Sequence, residues 1–202
     1  MRISSFFRRK FKKKRLTQFI SEGSELHYLE KELFKSDIIG IDTEFDWRTT
    51  YFPKLSLIQI VTSDKIFIID FLNISSASSL ISFLENHDCL KIFHSVRSDA
   101  TVLSKCLNCK CRNVFDIQIA EKLLLNGEIQ SYGKIVEKYF GLKLDKMETN
   151  SNWLKRPLTK NQMIYAQDDV DYLIEIYEIQ EKILKKKSLL DQAFVLCERI
   201  HS

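Results

Sequence analysis

The sequence predicts an α/β domain, a mixed β-sheet flanked by α-helices. Three observations predict it. Apolar, β-branched runs come early, at "IIGIDTEF", "LSLIQIVTS" and "KIFIIDF". The last two are separated by the turn-like pair Ser63-Asp64, which reads as a hairpin. Later strand-like runs alternate with helical patterns, the order expected when strands are joined through helices.

Each element has its own signal. "LTQFISEGSELHYLEKELFKSD" reads as a short strand, a turn, and a helix with Leu26, Leu29 and Leu33 at helical spacing. The strand "IIGIDTEF" and the hairpin follow. "SSASSLISFLENHD" places cap-forming serines before its apolar positions, so it is a helix. "LKIFHSV" is a fourth buried strand, and "RSDATVLSKCL" a helix. "NVFDIQIAEKLLL" is a short extended entry into another helix, and "SYGKIVEKYFGL" presents Ile135, Val136, Tyr139 and Phe140 on one face. After a polar connection, the pattern predicts one long helical stretch from Lys160 to about Lys187. An amphipathic segment, "LLDQAFVLCERI", closes the chain. It has the apolar content to dock on its own domain or on a second copy, which leaves a homo-oligomer open.

A chain of 202 residues supports one sizeable core and is short for two ordinary domains. With 45% hydrophobic and 29% charged residues, five glycines and two prolines, it has globular rather than low-complexity composition. No apolar run approaches the ~18 residues of a membrane span, so a membrane is not an expected partner. Charge divides the chain unevenly. Residues 1–15 hold eight of the 31 Lys and Arg and no acid, leaving 23 basic residues against 27 acidic in the rest. Residues 1–17 therefore read as a basic flexible tail and 18–202 as a single domain. Such a tail is a solvated arm that can also attract phosphate backbones or an anionic surface. Its "SFF" is too short for the apolar core of a signal peptide.

Five cysteines without a secretory signal point to a reducing, cytoplasmic setting. Cys106, Cys109 and Cys111 can be read as zinc ligands. The bland alternative is three small apolar side chains at a helix end and loop, since no fourth ligand stands nearby.

The chemistry concentrates in acids. Asp42, Glu44 and Asp46 alternate along a strand that leaves the core, so they share a face. Asp99 lies near the start of the helix after "LKIFHSV". In "YAQDDVDYL", Tyr165 and Asp169 are four apart and stack on one helix face. Asp168 and Asp171 fall at other angles, toward solvent. Carboxylates brought together raise each other's pKa unless a cation neutralises them. An all-oxygen set suits a hard divalent ion such as Mg²⁺ or Mn²⁺, and two such ions ~3.5–4 Å apart form a clamp for in-line displacement at phosphorus. A phenol with an ordinary pKa near ~10 is a poor base at neutral pH, which makes Tyr165 a group that orients water.

"DTEF", "FHSVRSD" and "YAQDD", in that order, resemble the three exonuclease motifs of the DEDD superfamily in its tyrosine-containing subgroup. The blocks around them, "TYFPKLSLIQI", "FDIQIAEKLL" and "LDKMETNSNWLKRPLTKNQMIYAQDDVDYL", resemble ribonuclease D. The resemblance covers about residues 36–185. It implies a ribonuclease H-like fold and a metal-dependent 3′-5′ exonuclease acting on single-stranded RNA 3′ ends. It also implies two divalent ions held by Asp42, Glu44, Asp99 and Asp169, with Tyr165 as the fifth catalytic residue. His94 would lie beside the substrate or brace its strand, and Gln59 would be structural or substrate-proximal. Asp116 stands where the family also has an acid, but a helix cap is the safer reading. Met147 and Asn152 depart from the family's common serine and acid, which bears on substrate preference more than on catalysis. The length resembles compact members without HRDC domains, some of which act on short oligoribonucleotides or form rings. The rivals are a DNA exonuclease with the same acids and a silent nucleic-acid-binding module. For Asp46 the plain reading is a solvated strand edge, and for Phe45 and Trp153 it is packing.

Overall fold

A computed structural model describes residues 15–47, 52–74 and 77–201. The basic stretch over residues 1–14 lies outside them. Six strands form one sheet: β1 (Leu16–Ile20), β2 (Ile38–Asp46), β3 (Lys54–Val61), β4 (Lys65–Asp70), β5 (Leu90–Phe93) and β6 (Val114–Asp116). Their order is β1-β4-β3-β2-β5-β6. The hairpin forms as the Ser63-Asp64 turn requires, with β3 antiparallel to β2 and β4, while β1–β4, β2–β5 and β5–β6 run parallel. The expected mixed sheet is present.

Helices cover both faces. On one, α1 (Leu26–Leu33), α2 (Ser78–Glu85) and α3 (Val96–Leu107) bury Leu29, Leu33, Phe83 and Val102 against Ile39, Ile41, Ile58 and Phe67. On the other lie α4 (Ile117–Leu124), α5 (Tyr132–Phe140), α6 (Lys160–Asp168), α7 (Leu173–Lys186) and α8 (Leu190–His201), packed over Leu57, Val61, Ile68 and Ile92. The closing helix docks on its own domain: Ala193 and Cys197 are fully buried and Phe194 meets Phe115 edge-on at 5.1 Å. Cys109 and Cys111 are buried in the first core, and no cysteine joins a metal-holding group among the described residues.

Four expectations change. The folded body begins earlier than residue 18. Leu16 and Thr17 already pair with β4, and the Arg15 guanidinium, 4% exposed, binds Asp171 at 3.0 Å and Glu175 at 2.6 Å. Asp171 is therefore buried rather than solvent-facing. Asp46, expected at a solvated edge, is also buried.

The last change matters most for function. The long final helix breaks between Asp168 and Leu173, directly after the Tyr165–Asp169 turn. The freed backbone groups are not left bare. Tyr172 N donates to the Tyr132 hydroxyl at 3.2 Å, and Arg15 donates to the Asp171 carbonyl. Gly40 sets the depth of this junction. A Cβ there would stand 2.6 Å from Val61 Cγ1 and 2.7 Å from Leu173 Cβ, so only glycine lets α7 approach β2 this closely.

Candidate active site

Two strand residues anchor the site. Asp42 and Glu44 sit two apart on β2 and share the face covered by α6 and α7. At Glu44 the pairing with β3 shifts by one residue. That irregularity bends the strand end beside the acids, a common use of a bulge near a functional site. Asp169 caps α6 one turn beyond Tyr165, its N–H bonded to the Tyr165 carbonyl at 3.1 Å. Asp42, Glu44 and Asp169 are each half-buried and offer one oxygen apiece within 4.8 Å of one another.

Asp99 comes from the opposite face of the sheet. It is buried on α3, and the Thr43 hydroxyl donates to its carboxylate at 2.6 Å. Thr43 lies between the two β2 acids and points the other way, so one strand supplies ligands to one side and a brace to the other. Asp99 stands just outside the close triad yet is electrostatically coupled to it, and its charge is the largest Coulombic influence on Asp42.

Burial and neighbouring carboxylates push every one of these acids up. Asp42 rises well above the usual carboxylate range, first through burial and then through the charges of Asp99, Asp169 and Glu44. Glu44 is pushed to about 9 by burial and by Asp169 and Asp99. Asp99 and Asp169 each reach about 7, again mainly through burial. Four acids in one poorly solvated volume, all oxygen and all resisting ionisation, fit a site whose missing positive charge is a hard divalent cation.

The cleft over this cluster has a volume of about 390 Å³. Tyr165 lines it, its hydroxyl 3.1 Å from Thr149 Oγ1, and a hydrogen bond from Tyr165 partly offsets the rise at Asp169. Burial raises the Tyr165 phenol further, so it stays protonated. His94 lines the same cleft with Nε2 3.2 Å from the Gln130 carbonyl and 3.3 Å from the Gln118 amide. Burial lowers its pKa, which keeps the ring neutral. Lys146 is the one lysine or arginine among the lining residues.

The remaining sequence candidates separate. Gln59 pairs directly with Asp42 across β2 and β3 but is fully buried and lines no part of the cleft. It belongs to the floor of the site, and both its amide atoms lack a hydrogen-bond partner among the described residues. Asp116 is the helix cap expected, and serves two helices. Its carboxylate accepts from Gln118 N at the start of α4 and from Ser95 N and Val96 N at the start of α3. Trp153 is buried beside Tyr165, rings 5.9 Å apart. Sequence reasoning missed Thr43, Thr149, Tyr132 and Lys146. For Thr43 the signal existed, since it is the one polar residue on β2 facing the apolar side.

The Asp70–Arg156 pair fixes the loop that closes the cleft. Arg156 clasps the buried Asp70 carboxylate with two contacts of 2.6 Å and donates to the Trp153 carbonyl at 2.7 Å. Between α5 and α6, this fastens to the sheet the segment that brings Lys146 and Thr149 to the site.

Comparison with known proteins agrees with this architecture. The family model described as 3′-5′ exonuclease matches residues 17–185. Ribonuclease D of Desulfotalea psychrophila is 37% identical over 155 residues, covering 76% of this chain and 41% of that protein. Ribonuclease D of Haemophilus influenzae is 38% identical over 148 residues, covering 73% and 37%. The crystal structure of Escherichia coli RNase D, an exoribonuclease involved in structured RNA processing, superposes with a TM-score of 0.87 at 30% identity, covering 92% of this chain and 49% of that one. The chain thus spans about two fifths of the length of these curated relatives. A matched domain over most of the chain, with Asp42, Glu44 and Asp169 of its first and third motifs drawn to one cleft, makes this protein a member of the 3′-5′ exonuclease family.

Proposed function

We propose that the protein is a 3′-5′ exoribonuclease that removes nucleoside 5′-monophosphates from single-stranded RNA 3′ ends, with two divalent ions, Mg²⁺ or Mn²⁺. The observation that carries the proposal is the convergence of Asp42, Glu44 and Asp169 within 4.8 Å, with Asp99 braced beside them. When bound, the ions supply Lewis acidity toward the scissile phosphate and the attacking water.

The chain's own groups do the rest. Asp42, Glu44, Asp99 and Asp169 are the donors, and their raised pKa values mean that metal binding expels protons from them. Tyr165, protonated and held by Thr149, orients water through its hydroxyl instead of accepting its proton. Lys146 offers a charge to a substrate phosphate in an otherwise anionic cleft. Neutral His94 stands at the wall as a hydrogen-bonding surface for the sugar or base. A cleft of about 390 Å³ favours an unpaired end. The basic segment over residues 1–14 supplies nonspecific attraction for the polyanion.

The test is digestion of 5′-labelled RNA and DNA oligomers with Mg²⁺, Mn²⁺ or EDTA. Stepwise shortening of RNA from the 3′ end, abolished by EDTA, is expected. Shortening of DNA alone transfers the reading to a DNA exonuclease, and no cleavage of either polymer with either metal leaves only a binding module.

A further inference from the structure

Beyond the wall formed by His94 lies a second cavity of about 410 Å³, lined by Ser95, Arg97, Asp116, Gln118, Ile119 and Arg199. It adjoins the catalytic cleft across one ridge. The Gln118 amide donates to the Gln130 carbonyl at 2.9 Å and lies 3.3 Å from His94 Nε2, so the two cavities share that hydrogen-bonded partition. Resting on the exonuclease reading above, we propose that this cavity binds backbone phosphates of the RNA strand on the 5′ side of the scissile bond, with Arg97 and Arg199 as the contacts.

Charge makes the argument. Two guanidiniums from helices distant in sequence, α3 and α8, face one cavity, and neither has an ion-pair or side-chain hydrogen-bond partner among the described residues. The one carboxylate there does not neutralise them. Asp116 is buried, and its two oxygens already accept three backbone N–H groups at the starts of α3 and α4. Its charge is thereby matched by the positive ends of two helices. The cavity is left with two exposed, uncompensated cations beside a cleft rich in carboxylates. A strand leaving that cleft carries a negative charge at each nucleotide, and planar guanidiniums suit phosphate oxygens.

Geometry also makes the rim stiff. Ser95 holds a left-handed backbone, φ 63° and ψ 49°, at the turn from β5 into α3. Asp116 pins that turn through the Ser95 and Val96 N–H groups. Arg97 follows two residues later, so its origin is fixed relative to the Asp99 carboxylate on the same helix.

The cavity begins outside the cleft, so the shortest substrates do not reach it. The test compares wild type with Arg97→Gln/Arg199→Gln on an oligoribonucleotide ladder from dinucleotide upward, with binding measured over a range of salt. Dinucleotide cleavage should be unchanged, while longer RNA should lose roughly tenfold in affinity. The slope of log K against log salt should flatten by about 1.4, two contacts at ~0.7 each for single strands. Equal loss at every length, or an unaltered salt slope, overturns the proposal while leaving the nuclease reading intact. Wild type that cleaves no RNA of any length overturns that reading, and this one with it.

Discussion

The Thr43 hydroxyl donates to the Asp99 carboxylate at 2.6 Å, joining β2, which carries two of the site's acids, to α3, which carries another. Because Asp42 and Glu44 face one side of the sheet and Thr43 the other, the bond reaches the cluster from behind. Thr43→Val keeps the shape and removes the donor, leaving Asp99 free to turn. Nuclease activity should fall roughly tenfold or more, a hydrogen bond to a charged group being worth ~1.5–3 kcal/mol. Thr43→Ser should restore most of it. Equal activity in Val and Ser variants would show that the bond does not position Asp99.

Metal-free stability should depend on pH in an unusual sense for acids. Glu44 in the folded chain is raised to about 9 and Asp99 and Asp169 to about 7, all above their unfolded values. The folded state therefore holds more protons, and its stability is fully present below about pH 4 and is lost as pH rises through these values. Thermal melts in EDTA should show Tm falling between pH 5 and 9, and Mn²⁺ should recover it at pH 8. In EDTA at pH 8, Asp42→Asn should raise Tm by relieving repulsion while abolishing cleavage. A flat pH profile would mean that the acids are better solvated than their burial implies.

Gly40 should be intolerant of any side chain. The Cβ of Gly40→Ala would press on Val61 and Leu173, both fully buried, and no side-chain rotation moves the Leu173 Cβ away. Overpacking of this kind costs ~1–3 kcal/mol, so a Tm lower by several degrees is expected. Since Leu173 opens α7 just past the Asp169 turn, metal affinity should weaken as well. A variant as stable as wild type would show that the junction can open at no cost.

Arg156 should separate substrate binding from metal binding. Its clasp on Asp70 secures the segment bearing Lys146 and Thr149, and none of Asp42, Glu44, Asp99 and Asp169 lies on that segment. Arg156→Lys keeps the charge but loses the two-pronged grip. KM for RNA should rise roughly tenfold with Mn²⁺ affinity unchanged. Weakened Mn²⁺ binding would mean that the loop also shapes the acid cluster.

The sequence carried most of the fold in its periodicities. The Ser63-Asp64 turn, the apolar strands and the spacing of Leu26, Leu29 and Leu33 each favour one local structure, and each forms. The acids were legible because charge at every second position on a buried strand is costly without a purpose. The break after Asp168 was not legible. "QDDVDYL" contains no glycine or proline, and the interruption comes from distant partners, Tyr132 and Arg15, which local pattern does not encode. The same remoteness hid Asp171. Its position suggested solvent, and only the return of the chain's first described residue, Arg15, gives it a buried partner. Thr149 and Lys146 lie in a polar connection without periodicity, where distant anchors such as Asp70–Arg156 and the Gln162 side chain determine what reaches the cleft.

Calorimetric titration of the metal-free protein with Mn²⁺ at pH 8 tests the central claim most directly. Saturable binding that releases protons, lost in both Asp42→Asn and Asp169→Asn although each remains folded, is the predicted result. Binding of undiminished strength in the doubly substituted protein would place the ions elsewhere and contradict the account.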